Sequence, residues 1–151
     1  MPSKKLQAEF ASLIAHISRQ WRRLADERLQ PFGLTEATWL PLFYLSQAGV
    51  PMRQKQLAAT LVLDSSSVVR ILDALQTAGL VERREEAGDR RAKAIHLTAL
   101  GRETAAKIES IVQQLRREVL GGLPEAELAA ATEILRTVYQ RLTILKGEPA
   151  P

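Results

Sequence analysis

Hydrophobic residues recur at steps of three and four over most of this chain and alternate with polar ones at one place. Leu6, Phe10, Leu13, Ile14, Ile17, Trp21 and Leu24 form one stripe, which predicts an amphipathic helix over 6–29. Pro31 and Gly33 end it. Thr35 is placed to cap a second helix over about 36–47, with Leu34 and Trp39 as its hydrophobic staple. Pro41 falls inside that helix, and the hydrogen bond it removes predicts a kink or a later start. Gly49 and Pro51 close the segment.

Two short helices follow. Arg53 to Leu61 carries Leu57, Ala58 and Leu61 on one face. Asp64 opens the next helix, where its carboxylate can accept from the free amides of Ser66 or Ser67. Val68, Ile71, Leu72 and Leu75 make the buried stripe of that helix, and Gly79 stops it. Ser65, Ser66, Val69, Arg70 and Asp73 lie on the opposite face. The period then shortens. Leu80, Ile95 and Leu97 are apolar, Glu82, Lys93 and His96 are polar, and Gly88 with Asp89 sits at the tip between the two arms. This is the pattern of an antiparallel hairpin with one face on a core. Arg83, Arg84, Arg90, Arg91 and Lys93 make the hairpin basic.

After the hairpin, Thr98 can cap a long helix to about Leu120, with Ala105, Ile108, Ile111, Val112, Leu115 and Val119 on one side. Gly121-Gly122 breaks it, Pro124 suits the first position of a last helix, and Glu125 and Glu127 suit the dipole of its first turn. Leu128, Ala131, Leu135, Val138, Leu142 and Leu145 make a heptad-like seam. Gly147 and the proline-containing tail end the fold and are expected to fray.

The expected fold is mainly α with a small β-hairpin wing. A helix pair followed by a basic hairpin is the plan of a winged helix-turn-helix, here over 35–98, with one helix for the major groove and the wing for backbone and minor groove. The stripes at the two chain ends, 1–34 and 99–151, are most simply buried together in a helical dimerisation lobe. Leu6, Phe10, Leu13, Ile17, Leu115, Leu128, Leu135, Val138 and Leu142 would form its interface. A monomer whose stripes satisfy each other is the alternative.

Composition narrows this picture only a little. A net charge of +4, with a pI near 9.8, permits a polyanionic partner without demanding one. The absence of cysteine excludes disulfides, thiolate metal sites and a thiol-based sensor, and fits a reducing cytoplasm. No signal peptide is expected from the start MPSKKLQAEF, and no apolar run approaches the roughly 20 residues that span a bilayer, so a soluble, cytoplasmic protein is expected. The only histidines are His16, beside the core stripe, and His96, on a strand, and with no cysteine both are expected to be structural; no metal site is expected, and no cofactor.

The hairpin also carries a family resemblance. Asp89-Arg90-Arg91-Ala92-Lys93-Ala94-Ile95-His96-Leu97-Thr98 matches the Asp-x-Arg, five residues, Leu-Thr signature of the MarR-type (multiple antibiotic resistance) regulators. Leu57-Ala58, Leu72-Asp73-Ala74-Leu75 and Gly79-Leu80-Val81 fall at that family's helix-turn-helix landmarks. The Asp-Arg-Arg-Ala-Lys run and the pair Trp21-Arg22 resemble its SlyA-like branch, and the likeness spans about residues 6 to 146.

The expected partner is double-stranded DNA carrying an inverted repeat, bound by a homodimer with half-sites about one turn, ~34 Å, apart. Ser65, Ser66, Ser67 and Arg70 are the candidates for the major groove. Arg90 and Arg91 at the wing tip, with Lys93, are those for the minor groove and backbone. The resemblance puts the family's wing arginine at Arg91. Asp89 is expected to orient a neighbouring arginine, and Arg83 and Arg84 suit a solvated face beside Glu85 and Glu86 as well as a phosphate clamp.

Regulators resembling this chain often respond to small aromatic carboxylates. Such a site would draw on Arg19, Trp21, Arg22, Thr38 and Trp39, with Arg70 within its reach, because guanidinium suits a carboxylate and indole suits a ring. The competing assignment makes Trp21 core and Arg22 the surface partner of Asp26. Repression is the commoner outcome among such regulators. No phosphate loop, His-Glu-x-x-His or Gly-x-Ser-x-Gly arrangement suggests an enzyme. The remaining rival is a helical module that binds another protein. It would explain the seam and leave the arginine tip without a purpose.

Overall fold

The computed structural model describes residues 1–147, with the side chains of Arg90 and Arg91 excepted; the tail expected to fray lies outside the described residues. Six helices and three short strands follow in the order α1 (Lys4–Leu29), α2 (Glu36–Ala48), β1 (Met52–Arg53), α3 (Gln54–Leu61), α4 (Ser65–Thr77), β2 (Val81–Glu86), β3 (Asp89–Leu97), α5 (Ala99–Leu120) and α6 (Glu125–Leu145). The contacts divide the chain into two compact units, residues 1–114 and 115–151.

In the first unit, α1 begins two residues earlier than its apolar stripe, because the Ser3 hydroxyl accepts from the Leu6 amide at 3.2 Å. Leu6, Phe10, Leu13, Ile14 and Ile17 are exposed; burial begins only at Ala25 and Leu29. A 3-10 turn, Gln30–Phe32, closes α1 on Gly33 at φ 73°. Thr35 precedes α2 as expected, but its hydroxyl engages Thr38 Oγ1 at 3.2 Å, and no side chain caps the helix. The later start anticipated from Pro41 does not occur. α2 begins at Glu36, runs through the proline and buries it with Trp39, Leu42 and Leu45.

One strand escaped the sequence pattern. Met52–Arg53 pairs antiparallel with β3, Met52 opposite Ile95 and Arg53 opposite Ala94, giving a three-stranded sheet in the order β1-β3-β2. A two-residue strand has no alternation to detect, so only the partner strand reveals it. The core of this region joins Leu57 and Leu61 of α3, Val68, Leu72 and Leu75 of α4, Leu80, Val81, Ala94 and Ile95 of the sheet, and Ala105, Ile108 and Val112 of α5. Ile71, assigned to the α4 stripe, is half-buried.

The start of α5 is fixed to the sheet through Thr98. Its hydroxyl accepts from the Gly101 amide at 3.0 Å and donates to the Gly79 carbonyl at 2.6 Å, while its own amide donates to the Leu80 carbonyl at 3.1 Å. This approach is so close that a Cβ on Gly101 would lie 1.9 Å from the Leu80 carbonyl oxygen. Glycine is required there for space rather than for an unusual φ.

The second unit contains the end of α5 and α6. Pro124 is the N-cap of α6 rather than its first helical residue, and Glu125 and Glu127 lie in the first turn. Along the seam, Leu135, Leu142 and Leu145 are exposed and Leu128 and Val138 half-buried; the buried residue of α6 is Thr143. Val119, placed by its spacing on the inner side of α5, is also exposed, whereas Leu115 is buried within the single chain. Leu115 therefore lacks the free surface that an interface residue would offer. No helix among the described residues is long and apolar enough to cross a membrane.

Candidate nucleic-acid interface

The interface begins with the start of α4. Asp64 Oδ1 accepts from the Ser67 amide at 2.8 Å, and Oδ2 accepts from the Ser67 hydroxyl at 2.8 Å. These bonds, the backbone one foremost, hold the Asp64 carboxyl below the usual carboxylate range. They also divide the serine trio. Ser67 is half-buried and committed to the cap, so it is a structural residue before it is a DNA contact. Ser65, Ser66 and Arg70 are exposed, and among the described residues no other side chain holds theirs. Their small hydroxyls and one long cation leave a helix surface able to enter a groove and reach a base edge.

The hairpin supplies the second part. β2 and β3 pair in one register from Val81 opposite Leu97 to Glu85 opposite Lys93. The register then slips, and Glu86 stands opposite Asp89. The surplus length, residues 90–92, falls on β3, so the two arginines of the wing occupy a bulged stretch of backbone. What their side chains touch lies outside the described residues; Lys93 beside them is exposed.

The other hairpin arginines have structural partners. Arg83 folds inward, pairing with Asp73 of α4 and donating to the Val69 carbonyl at 3.5 Å. Arg84 pairs along its own strand with Glu82 at 2.7 Å. Glu86 takes two hydrogen bonds from Arg53, at 3.2 and 2.6 Å. Among the described residues, Arg83 and Arg84 therefore find their partners in Asp73 and Glu82 rather than in Glu85 or Glu86. The Arg53 bond keeps Glu86 ionised to lower pH than usual, and the same bond, assisted by the Asp89 charge, raises the Arg53 pKa. Asp89 adds a weaker Coulombic contribution to the same arginine.

The residues considered for a carboxylate ligand are more dispersed in role. Trp39 is buried, and its indole N–H donates to Asp26 at 2.7 Å, joining α2 to α1. Asp26 is therefore engaged by Trp39, and Arg22 reaches Glu36 at 3.7 Å instead of its helical neighbour. Thr38 is held to Thr35. Trp21 is half-buried and Arg19 exposed. Nothing in the spacing could have paired Trp39 with Asp26, since the bond crosses between helices.

A short helix pair, a capped helix with a free polar face, and a three-stranded sheet ending in a basic hairpin define a winged helix-turn-helix, the fold of transcriptional regulators. The MarR family model matches residues 32–92. The transcriptional regulator PA3341 shares 38% identity over 88% of this chain and 97% of its own, with a TM-score of 0.83. A mutant MarR from E. coli complexed with operator DNA is 25% identical over 91% of this chain and 99% of its own (TM-score 0.74). The S. aureus MepR–DNA complex is 26% identical over 88% and 97%, respectively (TM-score 0.75). The chain belongs to the MarR family of transcriptional regulators, a family and fold of regulators rather than of enzymes.

Proposed function

We propose that this protein is a sequence-specific regulator that binds double-stranded DNA as a homodimer on an inverted repeat, and that it represses by occupying a promoter. The observation that carries the reading is the polar face of α4: Ser65, Ser66 and Arg70 are exposed on a helix whose other face buries Val68, Leu72 and Leu75. In this reading residues 35–98 form the DNA-binding lobe, and 1–34 with 99–151 form the dimerisation lobe. α4 enters the major groove, with Ser67 serving the cap that starts it. Arg90 and Arg91 enter the minor groove and Lys93 meets the backbone. The Asp-Arg-Arg-Ala-Lys run and Trp21-Arg22 favour the SlyA-like branch.

A second copy would cover the exposed stripe of α1 (Leu6, Phe10, Leu13 and Ile17) and the seam of α6, with Leu135 and Leu142 exposed and Leu128 and Val138 half-buried. Release by a small aromatic carboxylate is the reading for the region of Arg19, Trp21, Arg22, Thr38 and Trp39, and Arg19 offers an exposed cation. A ligand there would act by shifting the spacing of the two α4 helices, since only one spacing fits the operator.

The test is selection from random duplex DNA at moderate salt, followed by affinity measurements on what is retained. An inverted repeat with one-turn spacing and a steep loss of affinity with salt is expected. No enriched sequence, or affinity indifferent to salt, would overturn the reading in favour of a protein-binding helical module. Arg91→Ala should weaken binding to the selected site by about 1–3 kcal/mol with the dimer intact.

A further inference from the structure

Both ends of β2 are tied to the helix-turn-helix by ion pairs, and each pair uses an acid that lies close to the surface meant for DNA. Near the start of the strand, Arg83 reaches Asp73 on α4 and also donates to the Val69 carbonyl. At its end, Glu86 receives both arms of Arg53. Arg53 is itself held at the backbone: it sits in β1 opposite Ala94, and its amide donates to Gln56 Oε1 at 2.8 Å, at the first turn of α3. Glu86 is the last residue before the turn, and it faces Asp89 where the register slips. The backbone of Arg90 and Arg91 follows directly from that point. The attachment of the wing tip thus runs through Arg53 and Glu86, and that of the wing base through Asp73 and Arg83.

A carboxylate beside a DNA-binding surface repels phosphate, so these acids weaken binding by simple Coulomb action unless they contribute something else. We propose that the Arg53–Glu86 and Asp73–Arg83 pairs set the angle of the wing against α4, and that these four are positioning residues for DNA recognition that need not touch DNA themselves. The pairs fix where the bulged tip hangs relative to the groove-reading helix. A hairpin held at one end only would pivot about it, and ordering it would then cost entropy on binding. The partners come from three different elements, so no reading of the hairpin alone as a row of phosphate contacts would detect them. The inference rests on the DNA-binding reading above.

The experiment turns on sign. Glu86→Gln and Asp73→Asn each delete a negative charge near the DNA. The positioning role predicts that each weakens binding to the selected operator, by about two- to fivefold, as expected for a partly exposed pair. Their salt slopes should match that of the unaltered protein. Arg53→Gln should weaken binding equally, also without changing the slope, and combining it with Glu86→Gln should cost no more than either alone. Amide exchange along residues 82–97 of the free protein should accelerate in each variant, a readout that needs no DNA. The charge-swapped pair Arg53→Glu with Glu86→Arg should recover both affinity and exchange protection. Equal or tighter binding by Glu86→Gln and Asp73→Asn would overturn the proposal, and so would unaltered exchange. An Arg53→Gln slope smaller by about one would make Arg53 a phosphate contact instead. Failure of the unaltered protein to bind any duplex would overturn the DNA-binding reading itself, and the exchange result would stand apart from it.

Discussion

Two helices of this protein carry apolar stripes of the same spacing and meet opposite fates. In α4, Val68, Leu72 and Leu75 are at most 2% exposed, on a helix that packs against α2, α3 and β2. In α6, Leu135 and Leu142 remain 47% and 55% exposed, and α1 behaves like α6 along Leu6 to Ile17. The middle of the chain completes its own core, whereas the end helices present surface that a single chain leaves in water. A periodic stripe tells which face of a helix seeks burial and not whether the covering surface belongs to the same molecule. Exposed apolar area on this scale is the reason to look for a second copy.

The largest effect should come from breaking the exposed side of this comparison. Leu135→Asp places a charge where the second copy would sit, and should raise the dimer dissociation constant by about three orders of magnitude, since an unpaired buried carboxylate costs several kcal/mol. Sedimentation would show monomers with an unaltered helical spectrum; a dimer of normal stability would remove α6 from the interface. Next comes the self-covered side. Gly101→Ala drives a methyl group into the Leu80 carbonyl and should cost about 2–3 kcal/mol, toward the upper end of overpacking penalties, in a urea titration. Trp39→Phe, which deprives Asp26 of the indole N–H, should cost about 1–2 kcal/mol in the same measurement.

The smallest effect is a pH dependence confined to the start of α4. The folded state lowers the Asp64 pKa, so its contribution is present above the ordinary value near 3.8 and is lost as pH falls through the folded value. The stability gap between the unaltered protein and Asp64→Ala should therefore shrink on acidification. A gap constant with pH would mean that the cap acts through something other than its charge. Glu86 carries the same sign of dependence through Arg53, so the gap to Glu86→Gln should close in the same direction.

Legibility in the sequence followed the range of the interaction. The Asp64 cap, the Gly79 stop and the Gly88 turn rest on bonds within a few residues, and each stands where the residue types put it. The hairpin's alternation located its two long strands, and the arginine-rich signature located the wing. β1 went undetected because two residues hold no period. Arg83 was open to two readings because its partner, Asp73, lies on another element, and Arg84 because acids flank it on both sides and its partner is Glu82 rather than Glu85 or Glu86. Trp39 looked like a candidate for a ligand ring, and its indole N–H is occupied by a helix 13 residues away.

The sequence by itself determined which segments are helical, which faces are apolar, where the helices start and stop, and that a basic hairpin follows a helix pair. These are consequences of dihedral preference, periodicity and short-range hydrogen bonding, which each stretch of chain carries with it. Tertiary structure alone decided which stripes are covered and which stay exposed, that Gly101 must lack a side chain, and that Arg53 and Arg83 pair with Glu86 and Asp73. Those outcomes depend on which distant atoms arrive at the same place, and a side chain's partner is set by that arrival rather than by its own chemistry.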